Sequence, residues 1–202
     1  MTYYLFMRII VILKWTNQHQ QTDNIMLVVD NFLNQHDPLL REIQEDRLWM
    51  KPLGYSFLPR TSCSANTWET MALRIWEFAS GFKEVVPDYY EGIEYWSNIM
   101  AYRSSIEDLP WHFDKDEHLF STKEVLRTPF IGSVYYAHKG LPEDGYLEVQ
   151  SGNLVERLKP LSNRLIIFDS GDVHRVTHVT KGLRRCFATN VWVDKPSNEN
   201  FL

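Results

Sequence analysis

The sequence has 202 residues, enough for one domain with a sizeable hydrophobic core. Its net charge of −5 does not indicate a general polyanion-binding surface, so we do not expect nucleic acid as a partner. Two cysteines, Cys63 and Cys186, are too few for a disulfide framework or a cysteine-based zinc site, and a reducing, cytoplasmic setting fits them best.

Residues 1–24 are interpreted as a peripheral N-terminal segment. The stretch 3–13 is apolar apart from Arg8, but it is too short to span a bilayer and lacks the small-residue cleavage site of a signal peptide. No membrane association is therefore expected. The segment is either an added strand, a segment that binds a partner, or a consequence of start-codon choice with Met26 as the alternative start.

The first part of the main domain is predicted to contain one strand and two helices. Residues 25–33 are apolar and rich in β-branched side chains, which favours a buried strand. In the helix that follows, Asp37 can cap the N-terminus and Pro38 can occupy the first helical position. A second helix is expected over 66–82, with Gly81 near its end. Both helices are expected to pack on the outside of a sheet.

From about residue 93 the pattern changes to short strands separated by turn signals. The strands are expected at 95–102, 111–113, 129–137, 146–150, 164–168, 176–179 and 186–193. Many short strands separated by turn signals favour a sandwich or barrel over a βαβ fold. We therefore predict one mainly β (α+β) domain over 25–202: a double-stranded β-helix, a form of jelly roll, with the N-terminal helices packed on the sheet.

Three residues are candidate metal ligands. In the string Trp111-His112-Phe113-Asp114, the histidine and the aspartate are two residues apart, so in an extended segment their side chains point to the same side. Sixty residues after Asp114, a second apolar strand ends in a turn and His174. Two histidines and one carboxylate on one face match the facial triad of non-haem iron sites, which leaves coordination positions open.

A positively charged residue follows the third candidate ligand in the sequence. Arg184 lies ten residues after His174, at the start of the strand RRCFATNVWV. A guanidinium is always charged and can bind a carboxylate through two hydrogen bonds. It could therefore hold the far carboxylate of 2-oxoglutarate, if that acid were a co-substrate.

This order of residues resembles the 2-oxoglutarate/Fe(II)-dependent dioxygenase superfamily, and the string NRLIIFDSGDVHRVTHVTKGLRRCFATNVWV is similar to its prolyl-hydroxylase-like branch. The resemblance implies that Fe(II) is bound by the two histidines and the aspartate, with 2-oxoglutarate and O₂ as co-substrates. It also implies that Arg184 and Tyr136 hold the distal carboxylate, and that Tyr102 lines the same pocket. The expected reaction is hydroxylation of an organic substrate, a prolyl or other amino-acid side chain of a peptide or a small molecule, with release of succinate and CO₂.

Two assignments have rivals in the sequence. Arg185 adjoins Arg184, and because a shift of one residue places a strand side chain on the opposite face, only one of them can be the clamp. Spacing favours Arg184. His178 is a rival third ligand, but His174 is preferred because it follows a turn at a strand end.

Other functions stay open. The string WHFDKDE resembles AlkB-type nucleic-acid dealkylases, although the final strand carries no later arginine. A catalytically silent, cupin-like protein that binds a metal or another ligand shares the architecture, since fold does not determine function. Asp116 and Glu117 are most simply residues of a solvated loop. The remaining histidines are interpreted as surface residues: His19, His36, His118 and His138.

Overall fold

The computed structural model describes residues 7–14, 24–82, 89–102 and 108–197. The strands are β1 (Arg8–Lys14), β2 (Asn24–Asp30), β3 (Ser56–Pro59), β4 (Gly92–Ala101), β5 (Leu109–His112), β6 (Ile131–Tyr136), β7 (Glu143–Asp144), β8 (Leu147–Ser151), β9 (Leu154–Leu158), β10 (Arg164–Asp169), β11 (Val173–Val176), β12 (Val179–Lys181) and β13 (Leu183–Trp192). The helices are α1 (Pro38–Ile43), α2 (Thr67–Ala79) and α3 (Glu117–Lys123), and a 3₁₀ helix covers Asp46–Trp49.

Two antiparallel sheets form the framework. The larger has seven strands in the order β1-β2-β10-β6-β13-β4-β3, and the smaller has four in the order β5-β11-β8-β9. A short pair, β12 and β7, forms a two-stranded sheet of its own. This is the predicted mainly β jelly-roll architecture, and the prediction is confirmed, although the sheets do not close into a barrel.

The two helices predicted before the sheet are present, and α1 has the cap that was expected at Asp37. Asp37 accepts a hydrogen bond from the backbone N–H of Leu39 at 2.9 Å, and Pro38 begins α1. Asn66 caps α2 by accepting from the backbone N–H of Glu69 at 3.0 Å. Such caps satisfy N–H groups that have no partner inside the helix.

The larger sheet separates two hydrophobic clusters. On its outer face, residues of α1 and α2 pack against the sheet and include Met71, which is fully buried. Phe187 of β13 belongs to this outer cluster, whereas Cys186, its neighbour in sequence, belongs to the inner cluster between the two sheets. Alternation along β13 therefore decides which side chains face the helices and which face the space between the sheets.

Several local predictions were wrong. His138 is buried rather than at the surface, and its Nε2 lies 2.9 Å from the carbonyl oxygen of Pro160. Asp116 is also buried, because it caps the N-terminus of α3, a helix that replaces part of the predicted solvated loop. Strands β3, β7 and β9 were not predicted, and the strand predicted at 176–179 is divided between β11 and β12.

The peripheral segment contributes the edge strand β1, which pairs with β2 along its whole length. The rest of that segment, residues 1–6 and 15–23, lies outside the described residues, as does His19. None of the helices in the described ranges is long and apolar enough to cross a membrane.

Candidate metal centre and adjoining cleft

Pairing of the short strands β5 and β11 brings the two histidines together. His112 is the last residue of β5, and its Cα is the register partner of the Cα of His174 in β11. Asp114 follows two residues after His112, just beyond the strand. As a result, residues separated by sixty positions in the sequence meet at one end of the smaller sheet.

The ligand atoms of these three residues all lie within 4.8 Å of one another. Asp114 Oδ1 is 4.0 Å from Nε2 of His112 and 4.0 Å from Nε2 of His174. Nδ1 of His112 lies 2.7 Å from the carbonyl oxygen of Pro110, and Nδ1 of His174 lies 3.1 Å from that of Asp172. A carbonyl only accepts, so both Nδ1 atoms carry the proton and both Nε2 lone pairs point towards the aspartate.

The environment of His174 favours the neutral imidazole. Burial lowers the pKa of His174, and the nearby ring of His112 acts in the same direction, whereas Asp114 opposes them. Phe168 packs edge-on against the ring at 5.0 Å between centroids. Because a metal is bound by a neutral imidazole, this environment suits a ligand. Two imidazoles and one carboxylate, presented from one side, are the donor set expected for Fe(II).

Arg184 is a buried cation in the space between the sheets. Only 1% of its surface is exposed. Its Nε donates to the carbonyl oxygen of Gly145 at 3.0 Å, and Nη1 lies 3.1 Å from the sulfur of Cys186. Within the described ranges, no carboxylate lies within 4.0 Å of the guanidinium. An isolated charge is costly to bury, so this cation is suited to an anion supplied from outside the chain.

The two rival residues have different surroundings. Arg185 lies on the opposite face of β13, where its Nη1 is 2.6 Å from Asp46 Oδ1 and its guanidinium is near the ring of Trp49. His178 is exposed, lies between β11 and β12 and does not belong to the cluster of possible ligands among the described residues. The structure therefore brings Arg184 and His174 to the site, the two residues that the spacing favoured.

The two predicted tyrosines have different placements. Tyr136 is fully buried on β6, and Nη2 of Arg184 donates to its hydroxyl oxygen at 3.5 Å. Burial raises the pKa of Tyr136, so its hydroxyl keeps the proton that it can donate to an anion beside Arg184. Tyr102 follows the end of β4 and is 49% exposed, and neither tyrosine is among the residues that line the two cavities next to the triad.

Two cavities meet at the triad. An inner pocket contains Arg184, the triad and a largely apolar wall that includes Leu147 and Phe168. An open cleft of about 540 Å³ extends from the triad to the surface. Five residues line both cavities: Trp96, Asn98, Leu109, His112 and Asp114. A metal held by the triad would therefore stand where the pocket that contains Arg184 meets a cleft of a size usual for ligand sites.

Sequence reasoning missed the contribution of β4. Glu94, Trp96 and Asn98 alternate along this strand, so their side chains face the space between the sheets, and all three line the cleft. The available signal was a single carboxylate between the apolar residues Ile93 and Tyr95, at the start of this strand. Such a residue is seldom buried without a function or a partner.

Comparison with known proteins agrees with this geometry. Residues 98–194 match a family model described as the 2OG-Fe(II) oxygenase superfamily. The match includes the three candidate metal ligands and Arg184. No curated protein sequence matches the chain.

Solved structures share the fold at low sequence identity. A prolyl-4-hydroxylase from Pseudomonas putida is 12% identical with a TM-score of 0.59, over 84% of this chain and 88% of that one. A 2OG-Fe(II) oxygenase family oxidoreductase from Burkholderia pseudomallei is 13% identical with a TM-score of 0.58, over 88% of each chain. A viral collagen prolyl hydroxylase from Paramecium Bursaria Chlorella virus-1, in complex with 2OG, is 15% identical with a TM-score of 0.53, over 84% and 96%.

Proposed function

We propose that this chain, whose residues 98–194 match the 2OG-Fe(II) oxygenase superfamily, acts on a peptide in which it hydroxylates an amino-acid side chain, with proline the first candidate. The protein is an Fe(II)-dependent dioxygenase whose co-substrates are 2-oxoglutarate and O₂. The comparisons do not favour a nucleic-acid dealkylase or a non-catalytic binding protein.

The observation that carries the site assignment is the buried guanidinium of Arg184 in the same cavity as the triad. A dicarboxylate fits this arrangement, since one end can reach the metal while the other meets the guanidinium. We assign His112, Asp114 and His174 as the iron ligands. Arg184 binds the distal carboxylate, and the hydroxyl of Tyr136 donates a second hydrogen bond to it.

When bound, iron and 2-oxoglutarate supply the activation of O₂ that ends in a hydroxylated product, succinate and CO₂. The chain's own residues would bind iron and 2-oxoglutarate and orient them. The carbonyl groups of Pro110 and Asp172 hold the two imidazole rings in the tautomer that presents Nε2. The wall around Phe168 is largely apolar and offers water few hydrogen-bond partners in the inner pocket. The cleft on the other side of the triad admits the substrate.

Anaerobic titration tests the cofactor assignment. The apo-protein is titrated with Fe(II) and then with 2-oxoglutarate, and the visible charge-transfer band of the chelate is recorded. Wild type should form the band, and His174→Ala should not, whereas His178→Ala serves as the matched control and should behave like wild type. Iron binding without the band would mean a metal centre of another kind.

Turnover tests the substrate assignment. The protein is supplied with Fe(II), 2-oxoglutarate, O₂ and a panel of short proline-containing peptides, and succinate and the peptide mass are measured. A gain of one oxygen atom per succinate supports the proposal. If free small molecules are hydroxylated and no peptide is, the proposed substrate class is wrong.

A further inference from the structure

Besides the guanidinium of Arg184, the site contains a second buried ionisable group, a carboxyl group in the cleft that the proposed chemistry does not use. Glu94 of β4 lines the cleft wall, and only 6% of its surface is exposed. Its Oε2 accepts a hydrogen bond from the indole N–H of Trp192 at 3.0 Å and lies 3.4 Å from the amide nitrogen of Asn190. Both partners are buried side chains of β13, so the carboxyl group is held in a defined orientation.

No cation of the chain compensates this carboxyl group. In the part of the chain that the structure describes, no lysine, arginine or histidine lies within 4.0 Å of Glu94. Lys115 also lines the cleft, but its ammonium group is 2.7 Å from the carboxylate of Glu117. Burial raises the pKa of Glu94 to about 7, as expected for a carboxyl group with neutral donors alone.

The second oxygen of Glu94 is open to the cleft. Oε1 of Glu94 makes no hydrogen bond to any residue in the described ranges. It is not sealed from solvent either, in contrast to Nδ1 of His138, a buried atom with no hydrogen-bond partner among the described residues. One carboxylate oxygen is therefore fixed by the protein while the other can accept from a bound molecule.

The position of Glu94 places it on the substrate side of the triad. Glu94 is the register partner of Asn190, and Met100 is that of Arg184, so the two charged residues are six positions apart along the same pair of strands. Six positions correspond to about 20 Å. His112 and Asp114 line both the inner pocket, which holds Arg184, and the cleft, which holds Glu94. A molecule bound in the cleft would touch Glu94 without entering the co-substrate pocket.

We propose that Glu94 is a specificity residue that binds a cationic side chain of the substrate, so that the peptide carries an arginine or lysine near the hydroxylated residue. This inference rests on the proposed function and names the substrate class. Tyr55 and Trp96, with ring centroids 5.0 Å apart, also line the cleft. Aromatic faces attract cations, and a guanidinium suits both the aromatic pair and the carboxylate.

Arginine and citrulline provide a matched pair of probes, because they have nearly the same shape and differ in charge. Two peptides, Ala-Arg-Pro-Arg-Ala and the same peptide with citrulline at both arginine positions, are titrated into protein loaded anaerobically with Fe(II) and 2-oxoglutarate. Dissociation constants are measured by calorimetry. Wild type should bind the arginine peptide about 10-fold or more tightly than the citrulline peptide.

Three variants assign that preference to the carboxylate. Glu94→Gln keeps an acceptor for the indole of Trp192 and should reduce the ratio to about twofold or less. Glu94→Asp keeps the charge and should retain a larger ratio than the glutamine variant. Glu45→Gln removes an exposed acid on the helical side of the molecule and should leave the ratio as in wild type.

Equal binding of the two peptides by wild type would overturn the proposal. Binding of neither peptide at about 5 mM would do the same, as would a preference that survives in Glu94→Gln. The charge-transfer titration keeps this failure separate from a failure of the proposed function. If the band forms and the arginine preference is absent, the cofactor chemistry stands and only the cation site is wrong.

Discussion

Replacing Glu94 by glutamine should change how the stability of the protein depends on pH. Burial holds the pKa of this carboxyl group at about 7 in the folded protein, against an ordinary value of 4.5 in the unfolded chain. Below the lower value both states are protonated and the residue has no pH-dependent effect. Between the two values the unfolded chain loses its proton while the folded protein keeps it, so the stability present at low pH is lost as the pH rises through about 7.

The interval between the two pKa values sets the size of the effect. A tenfold change in a protonation equilibrium corresponds to about 1.4 kcal/mol, so the interval from 4.5 to about 7 corresponds to about 3 kcal/mol. Glutamine does not titrate and should not show this loss. The difference in free energy of unfolding between wild type and Glu94→Gln should therefore move by about 2–3 kcal/mol in favour of the variant from pH 5 to pH 8.

Urea denaturation at several pH values measures this difference. The protein is kept metal-free with a chelator, because the charge of Asp114 helps to raise the pKa of Glu94 and a bound cation would offset it. Groups that titrate in both proteins cancel in the subtraction. Glu45→Gln, which removes an exposed acid, should show a flat difference over the same range. A difference for Glu94→Gln that stays constant within about 0.5 kcal/mol would refute the reasoning.

Three further predictions concern the metal, the co-substrate and the fold. Asp114→Ala should abolish Fe(II) binding at micromolar concentration, because it removes the only carboxylate of the triad; retained stoichiometric iron, measured by a chelator assay, would contradict the assignment. Arg184→Ala should raise the KM for 2-oxoglutarate about 30-fold or more while iron still binds, whereas Arg185→Ala should stay within about threefold of wild type in the same succinate assay. Asn66→Ala should lower the free energy of unfolding by about 1 kcal/mol through loss of the α2 cap, and an unchanged denaturation midpoint would show that the cap contributes little.

Local interactions explain the parts of the structure that could be predicted. The cap at Asp37 acts on an N–H group two residues away, so it can be identified without the tertiary structure. The spacing of His112 and Asp114 is similarly local, because an extended chain places residues i and i+2 on one side. The jelly-roll class followed from the number of short strands and the turn signals between them.

Interactions between distant segments decided the rest. Because side chains alternate along a strand, Arg184 and Arg185 must face opposite sides of β13. Which of the two faces the pocket depends on how β13 pairs with β4 and β6. The burial of His138 and Asp116 likewise depends on Pro160 and on the backbone N–H of Ser197, which are distant in sequence. Patterns of polarity alone favoured the surface for both residues.

The sequence by itself determined the donor set, its order along the chain and the fold class, since these depend on residue types and short spacings. The tertiary structure alone decided that His174 lies opposite His112, that one arginine rather than the other enters the inner pocket, and that Glu94 opens into the cleft beyond the triad. Strand register and the packing of one sheet on the other place these side chains, and both arise from contacts between residues far apart in the chain.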